Sequence, residues 1–365
     1  MKIITSESVN KGHPDKTCDI IADTFLDAAL AQDPQSQMAV ECAIKNNLLM
    51  IYGEAKTKAK LNYKKIARRV LKQIGYKNHF RIKQEISLQS PDINQAVVKE
   101  RLCANDQGIV FGYATDETKV FMPLSILIAH KLMKKYEIFR QKNSEKYFPD
   151  AKSQVSVLYD DLSAPVKITT VLISVSHSDS LENEQIKQEI KGNVINPVLK
   201  EFEQFDKGDI EFLINTSGKF TIWGSFSDSG CVGRKIVVDA YGGDYKVGGG
   251  CYSSKNASKV DRSGAYFARY IAKSVVGNSL AKKCEVALSF ALGKEKPINI
   301  EIDCFGTNKL SLEQIKQIVL NNFDFSLSNI VEELGLLKPI YSTTACYGHY
   351  GREQFAWERV KPLKF

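Results

Sequence analysis

The chain contains 365 residues, of which 43% are hydrophobic and 25% charged, with 23 glycines and 10 prolines. This composition excludes a disordered or collagen-like chain and provides apolar material for two or three packed domains. Lysine and arginine number 50 against 42 aspartates and glutamates, a net charge of +8. That excess suggests an anionic partner, either phosphate ligands or nucleic acid, with solubility alone as the alternative explanation.

The cysteine and histidine patterns exclude several kinds of site. The eight cysteines are scattered without a CxxC pair, so neither a zinc ribbon nor a thioredoxin-type site is expected. The five histidines form no HExxH motif. The amino terminus lacks the apolar core of a signal peptide, and no apolar run reaches the roughly 18 residues of a membrane span. We therefore expect a cytoplasmic protein with reduced thiols and no membrane contact.

An order of helix, hairpin, helix and strand is predicted three times along the chain from the spacing of apolar residues. The first copy comprises a helix at 15–30, strands at 38–44 and 48–55, a helix at 63–74 and a strand at 80–88. The second comprises a helix at 123–139, strands at 154–159 and 166–174, a helix at 181–202 and a strand at 210–215. The third comprises a helix at 261–276, strands at 285–291 and 298–304, a helix at 311–321 and a strand near 339–343. Three such units favour three α+β domains over one doubly wound sheet, each sheet burying one face under its helices.

The segment 12–16 reads Gly-His-Pro-Asp-Lys and predicts the start of the first helix, because proline is well tolerated in a first turn. A helix N-terminus attracts phosphate through its unpaired N–H groups. Asp15 is therefore a candidate Mg²⁺ ligand and His13 a candidate donor to a phosphate or leaving oxygen. The alternative is an ordinary capped helix with an acidic first turn.

A glycine-rich connection at 234–262 carries many cations and ends at the predicted helix containing Asp261. Glycines let a backbone approach a ligand closely, and lysine and arginine supply charge for phosphate oxygens. Neither a Walker A loop nor a Rossmann fingerprint occurs in it. The connection indicates polyphosphate binding, with a flexible linker beside solvated charges as the alternative.

The polar connection at 89–112 is a candidate active-site lid, with an ordinary surface loop as the alternative.

Taken together, these segments resemble the S-adenosylmethionine synthetase (methionine adenosyltransferase) family. The matching stretches are residues 5–9 with 12–16, 90–95, 106–108 with 111–114, 150–155, 233–239, 258–263, and 347–349 with 351–353. The resemblance implies an α+β fold of three similar α/β-sandwich-type domains around a pseudo-threefold axis, each a mixed sheet covered by helices. The expected domains are residues 1–97, 98–220 and 221–365, with a lid segment at 95–106.

The resemblance also implies an activity, the synthesis of S-adenosyl-L-methionine from ATP and L-methionine. The methionine sulfur would attack C5′ of ATP and displace triphosphate, which would then be hydrolysed to diphosphate and phosphate. Since a neutral thioether needs no deprotonation, this chemistry requires cations and metal at the leaving group rather than a strong base. The implied cofactors are Mg²⁺, about two per site, and K⁺. The implied partner is a second copy of the chain, in a homodimer or homotetramer with active sites at the subunit interface.

The resemblance further implies roles for individual residues. ATP contacts are implied for His13, Asp150, Lys152, Lys219, Phe220, Asp228, Arg234, Lys235, Cys251 and Lys255. Methionine contacts are implied for Glu54, Gln95, Asp228 and Lys259. Metal contacts are implied for Asp15 and Asp261, as Mg²⁺ carboxylates from opposite subunits, and for Glu41 at a K⁺ site. The implied catalytic group is His13, Asp106, Lys152, Arg234, Lys235 and Lys255.

The sequence also departs from the family pattern near the lid. Cys103-Ala104-Asn105 stands where the family usually has Gly-Ala-Gly, and the gap between Gln95 and Asp106 is shorter than usual. These departures leave open a catalytically weak or regulatory homologue that binds nucleotide with a shortened lid. A nucleic-acid-binding protein is a further alternative, but it predicts basic residues interleaved with exposed aromatics, which we do not find.

Overall fold

Three β-sheets with helices packed against them form the chain in a computed structural model, which describes residues 1–88 and 102–365. The strands are β1 (Lys2–Val9), β2 (Gln37–Lys45), β3 (Leu48–Lys56), β4 (Arg81–Ser87), β5 (Gly108–Thr115), β6 (Tyr147–Tyr159), β7 (Pro165–His177), β8 (Glu211–Ile214), β9 (Gly230–Cys231), β10 (Lys283–Phe290) and β11 (Asn299–Asp303). The α-helices are α1 (Pro14–Leu30), α2 (Tyr63–Ile74), α3 (Leu124–Lys142), α4 (Asn183–Ile190), α5 (Asn196–Leu199), α6 (Ile236–Asp239), α7 (Val260–Gly277), α8 (Leu312–Asn322) and α9 (Leu327–Glu333). The predicted α+β class is confirmed.

The first sheet has the strand order β4-β3-β2-β9, with β3 and β4 parallel and the other pairs antiparallel. The even-numbered residues 38–44 of β2 are buried in a core with α1 and α2. Because side chains alternate along a strand, Glu41 and its cross-strand partner Tyr52 lie on the opposite face. That face carries several of the predicted site residues.

In each of the other two sheets, one strand comes from a part of the chain that is distant in sequence from the strand it pairs with. β1 pairs with β6, from Lys2 opposite Tyr159 to Val9 opposite Lys152, in the sheet β1-β6-β7-β8. β5 pairs with β10 in the antiparallel sheet β11-β10-β5, which packs against α7. β9 joins β2 in the first sheet in the same way. Each sheet is therefore completed by chain that lies far from its central hairpin in sequence.

Most predicted helices and hairpins are found within a few residues of their expected bounds, and α2 occupies the predicted range 63–74. The predicted helix at 181–202 is instead α4, a π turn at Lys191–Ile195, α5 and a 3₁₀ turn at Lys200–Phe205. Pro197 in the first turn of α5 lacks the N–H that a continuous helix would use.

The predicted strand near 339–343 is wrong. The main-chain N–H groups of Tyr341 and Ser342 each donate to the Asp27 carboxylate at 2.8 Å. These donors are therefore committed to a side chain on α1 rather than to a neighbouring strand. The segment forms turns.

Three strands, β1, β5 and the two-residue β9, are present where no strand was predicted. In β1 the buried positions include Ser6 and Ser8, which hide the apolar alternation that identifies a strand. In β5 two glycines interrupt the pattern, and at Gly112 a Cβ would overlap the backbone of Ala268. The glycine thus allows α7 to pack directly against β5.

No helix in the part of the chain that the structure describes is long and apolar enough to cross a membrane.

Candidate active site

His13 stands immediately before α1 and caps it. Its Nδ1 accepts a hydrogen bond from the Asp15 main-chain N–H at 3.2 Å, and the side chain is only 2% exposed. Burial, with nearby Lys235 and Lys152, lowers the pKa of His13 to about 3. The imidazole is therefore neutral at physiological pH. Since Nδ1 accepts, the tautomer assigned from this contact carries its proton on Nε2, which makes Nε2 a neutral donor.

Asp15, in the first turn of α1, forms ion pairs with two cationic side chains of the glycine-rich connection. Its Oδ2 accepts from Lys235 Nζ at 2.8 Å, and its Oδ1 accepts from the Cys231 N–H at 3.0 Å. Arg234 Nε lies 3.6 Å from Oδ1. The pairing of β9 with β2 brings these residues to the start of α1. The carboxylate thus orients both cations without a ligand.

Asp150 and Lys152 approach the same place from β6. Asp150 is buried, its Oδ2 accepts from the Gly224 N–H at 2.8 Å, and its Oδ1 has no hydrogen-bond partner. Burial raises the pKa of Asp150 to about 6, against the opposing charge of Lys152. Asp228 acts electrostatically on both Asp150 and His13. We call this set the His13 cluster: His13, Asp15, Asp150, Lys152, Asp228, Arg234 and Lys235.

A second set of charges surrounds the start of α7. Lys255 forms an isolated antiparallel bridge with Ala39 of β2, and its ammonium pairs with Asp261 in the first turn of α7. Lys259 caps α7, and burial together with Lys255 lowers its pKa. The carboxylates of Glu54, Asp106 and Asp261 act in the opposite direction and raise the pKa of Lys259. We call this set the Lys259 cluster: Glu54, Asp106, Lys255, Lys259 and Asp261.

Behind both clusters, α1 presents four aspartates spaced four residues apart. We call them the acidic stripe: Asp15, Asp19, Asp23 and Asp27. Each accepts a main-chain N–H from later chain, the donors being Cys231 (3.0 Å), Gly233 (2.9 Å), Ser254 (3.0 Å) and Tyr341 (2.8 Å). Residues four apart lie on one face of a helix. One face of α1 therefore aligns the segments that carry Lys235, Lys255 and Lys259.

Comparison with known proteins decides the family. Models of the S-adenosylmethionine synthetase N-terminal, central and C-terminal domains match residues 1–101, 101–220 and 222–359. The chain belongs to the S-adenosylmethionine synthetase family. The resemblance found in the sequence is confirmed.

Three relatives named S-adenosylmethionine synthase match all of this chain over 374 aligned residues. The protein of Mesoplasma florum is 45% identical with 98% of its length covered. Those of Mycoplasma mycoides subsp. mycoides and Mycoplasma capricolum subsp. capricolum are 43% and 42% identical, each with 96% covered. These similarities give no support to the alternative of a weak or regulatory homologue.

Within this member of the S-adenosylmethionine synthetase family, Cys251 and Glu41 interact electrostatically beside the Lys259 cluster. Burial raises the pKa of the Cys251 thiol to about 11, and Lys255, Glu41 and Asp19 all act on it electrostatically. Glu41 lies on the helix-free face of the first sheet, opposite Tyr52. Cys251 is thus close to two charges of the Lys259 cluster, Lys255 and Asp261, and to Glu41.

Other predicted residues are not joined to either cluster by the contacts that the structure describes. Lys219 is exposed and pairs with Asp179 at 2.6 Å. The main-chain N–H of Phe220 donates to His177 Nε2 at 3.1 Å. Gln95 and most of the predicted lid segment, up to residue 101, lie outside the described residues.

Sequence reasoning missed the rest of the acidic stripe and the groups that support it. Lys16 donates to Asp19 at 2.7 Å and also pairs with Asp239. Asp239 is the last residue of α6, the short helix that begins directly after Lys235. The four-residue spacing of the stripe was visible in the sequence. Four carboxylates on one face of a helix that is also rich in apolar residues indicate that other groups pair with that face, because charged side chains are rarely buried unless paired.

The donor set agrees with metal held largely by substrate phosphates. In residues 1–88 and 102–365 no group of three or more His, Cys, Asp or Glu side chains forms a metal cage. Asp15 and Asp261 are each a single carboxylate beside a lysine. Mg²⁺ in phosphate chemistry is usually bound by one or two carboxylates, with phosphates and water completing the shell. The two aspartates therefore fit that role.

Proposed function

We infer that the protein synthesises S-adenosyl-L-methionine from ATP and L-methionine, and the observation that carries this is the family match over the whole chain. A bond forms between the methionine sulfur and C5′ of ATP, and the bond between C5′ and the triphosphate oxygen breaks. The electron pair leaves with the triphosphate, which water then cleaves to diphosphate and phosphate. No proton has to be removed from the nucleophile, in keeping with a neutral His13.

We propose that the His13 cluster binds the triphosphate. Lys152, Arg234 and Lys235 supply positive charge, and the Asp15 contacts hold two of these cations before the ligand arrives. The Nε2–H of His13 donates to the oxygen that leaves C5′. Preorganised donors of this kind stabilise charge that develops in a transition state. Asp150 and Asp228, with Lys219, Phe220 and Cys251, are proposed for the rest of ATP.

We propose that Asp15 and Asp261 hold Mg²⁺ and that Glu41 contributes to a K⁺ site. Bound cations would add positive charge at the phosphates during displacement. Lys255 would share that task, since its ammonium already neighbours the Asp261 carboxylate.

Methionine is proposed to bind at the Lys259 cluster. A free amino acid carries one carboxylate and one ammonium, and the cluster offers the complementary charges. Lys259 would take the α-carboxylate, and Glu54 and Asp106 would face the α-ammonium. Both carboxylates act electrostatically on Lys259. Gln95 completes the proposed set together with Asp228.

The site is proposed to form between two copies of the chain, in a dimer or a pair of dimers, with Asp15 and Asp261 from opposite subunits. Supporting this, the helix-free face of the first sheet carries Glu41 and Tyr52 half-buried and Met50 exposed in a single chain. The domain boundaries at residues 97 and 220 and a cytoplasmic location stay predictions.

The test is a direct assay with ATP, L-methionine, Mg²⁺ and K⁺. We expect S-adenosylmethionine, diphosphate and phosphate in equal amounts. Mixing an inactive Asp15 variant with an inactive Asp261 variant should restore activity in mixed dimers if the two residues act from opposite subunits. Absence of the sulfonium product would overturn the function. ATP binding without turnover would restore the regulatory alternative.

A further inference from the structure

Lys259 is a half-buried ammonium that has no carboxylate within ion-pair distance in the described residues. Its neighbour Lys255, by contrast, is paired with Asp261. The backbone of Lys259 is rigid, because its carbonyl accepts from the N–H groups of Arg262 and Ser263 at the start of α7. A fixed cation without an ionic partner is suited to an anionic ligand.

The group that does contact the Lys259 ammonium is an amide. In the orientation that satisfies both of its ends, Asn105 accepts from Lys259 Nζ at 3.2 Å and donates to the Ser258 carbonyl at 3.1 Å. Asn105, Lys259, Ser258 and Glu54 line one small cavity beside β2. The amide thus connects the ammonium to the wall of that cavity.

The chain leading to Asn105 is itself firmly held. The Ala104 N–H donates to the Lys294 carbonyl at 2.9 Å, and the Ala104 carbonyl accepts from the Gly293 N–H at 2.8 Å. Ala104 is fully buried in the core of the third sheet. Three residues after Asn105, β5 begins at Gly108. The Asn105 side chain therefore projects from a backbone anchored close by on both sides.

We propose that Asn105 is a positioning residue that orients the Lys259 ammonium toward the α-carboxylate of methionine. A neutral amide suits this task because it directs an N–H of the ammonium without neutralising the charge that the substrate needs. A glycine, which the family usually has at this position, could not make the contact. The sequence Cys103-Ala104-Asn105 therefore differs from the family pattern at a residue to which we assign a function. The inference rests on the proposed methionine site and extends it to a residue outside the family pattern.

The experiment compares Asn105→Gly and Asn105→Asp with the unsubstituted protein. For Asn105→Gly we expect the KM for methionine to rise about fivefold, as for loss of one hydrogen bond of ordinary strength, with kcat and the KM for ATP within about twofold. For Asn105→Asp we expect a rise above about tenfold, because the new carboxylate pairs with Lys259 and competes with the substrate carboxylate. Asn193→Asp, at an exposed asparagine on another helical segment, is the matched control and leaves both KM values unchanged.

A second probe separates positioning from a general structural effect. L-Methioninamide lacks the α-carboxylate, so its inhibition constant should be the same in all variants. Unchanged methionine KM in both Asn105 variants would overturn the proposal. So would a parallel rise in the KM for ATP and methionine with a lowered melting temperature.

Calorimetric titration of methionine in the presence of a non-hydrolysable ATP analogue gives the same comparison without turnover. Failure of the unsubstituted protein to form S-adenosylmethionine would instead overturn the proposed function. Equal methionine affinity of the unsubstituted protein and both variants in the titration would overturn the role of Asn105.

Discussion

Lys235 donates to Asp15 Oδ2 at 2.8 Å, although the two residues are separated by 220 positions in the chain. Arg234 approaches the other oxygen of the same carboxylate. The cations are therefore ordered by the protein itself, at the start of a helix whose dipole adds to the positive field. A triphosphate would meet a site that needs little reorganisation.

Lys235→Ala should lower kcat by about 10²- to 10³-fold, because it removes a preorganised charge at the leaving group. Steady-state kinetics with ATP and methionine provide the measurement. Lys131→Ala is the control, since Lys131 pairs with Glu201 on the surface at 2.5 Å. A loss of less than about tenfold for Lys235→Ala would exclude Lys235 from charge stabilisation at the leaving group.

His13 should not titrate between pH 5 and 8, because burial and two nearby lysines lower its pKa to about 3. In the unfolded chain its pKa is near 6.5. Stability due to the neutral imidazole is thus complete above pH 6.5 and is lost as the pH falls from 6.5 toward 3, where only the unfolded chain binds the proton. The measurement is the pH dependence of the His13 ring resonances, with His13→Gln for assignment. A midpoint near 6.5 would show that the ring is not desolvated.

Gly250→Ala should disturb the Lys255–Asp261 pair, because a Cβ at Gly250 would overlap the Asp261 carboxylate. We expect at least tenfold weaker Mg²⁺ activation, as typical for disturbed support around metal ligands. Gly249→Ala is the matched control for stiffening of the same loop, since a Cβ there meets nothing within 4 Å. Similar Mg²⁺ titrations for the two variants would contradict the steric explanation.

Asp23→Asn should destabilise the fold by about 3–5 kcal/mol, because it leaves the buried Arg262 guanidinium without its carboxylate. Arg262 donates to both Asp23 oxygens at 2.8 Å. Urea unfolding followed by tryptophan fluorescence measures the loss. For comparison, Glu184→Gln removes an exposed pair with Lys187 and should cost less than about 1 kcal/mol. Equal losses for the two variants would contradict the structural importance of Asp23.

The sequence predicted the elements whose apolar spacing is regular and missed those whose burial depends on distant chain. The face of α2 that packs on the first sheet is apolar, so its bounds could be read directly. Ser6 in β1 is buried because its hydroxyl meets that of Ser125, which no local pattern reveals. The strand predicted near 339–343 failed for the same reason, since its main-chain donors are bound by Asp27.

The family resemblance grouped the candidate site residues in advance, but the contacts that join them came only from the structure. His13 and Lys235 were each named from local sequence, yet their segments meet through the β9–β2 pairing and the hydrogen bond from the Cys231 N–H to Asp15. Asn105 was noted solely as a departure from the family pattern. Its contact with Lys259 depends on how β5 and α7 meet, which lies beyond the reach of residue spacing.

The exchange of β1 into the sheet of β6 has a consequence for synthesis of the protein on the ribosome. When the first hundred residues have emerged, β1 has no partner, and its hydrogen-bonding edge stays exposed until Tyr147–Tyr159 is made. The acidic stripe lacks some of its hydrogen-bond donors for longer, because the last of them, the N–H of Ser342, is made near the end of synthesis. Native closure is therefore a late, largely post-translational event. Polypeptides released early would carry unpaired strands and uncompensated carboxylates, making them natural substrates for chaperones and proteases.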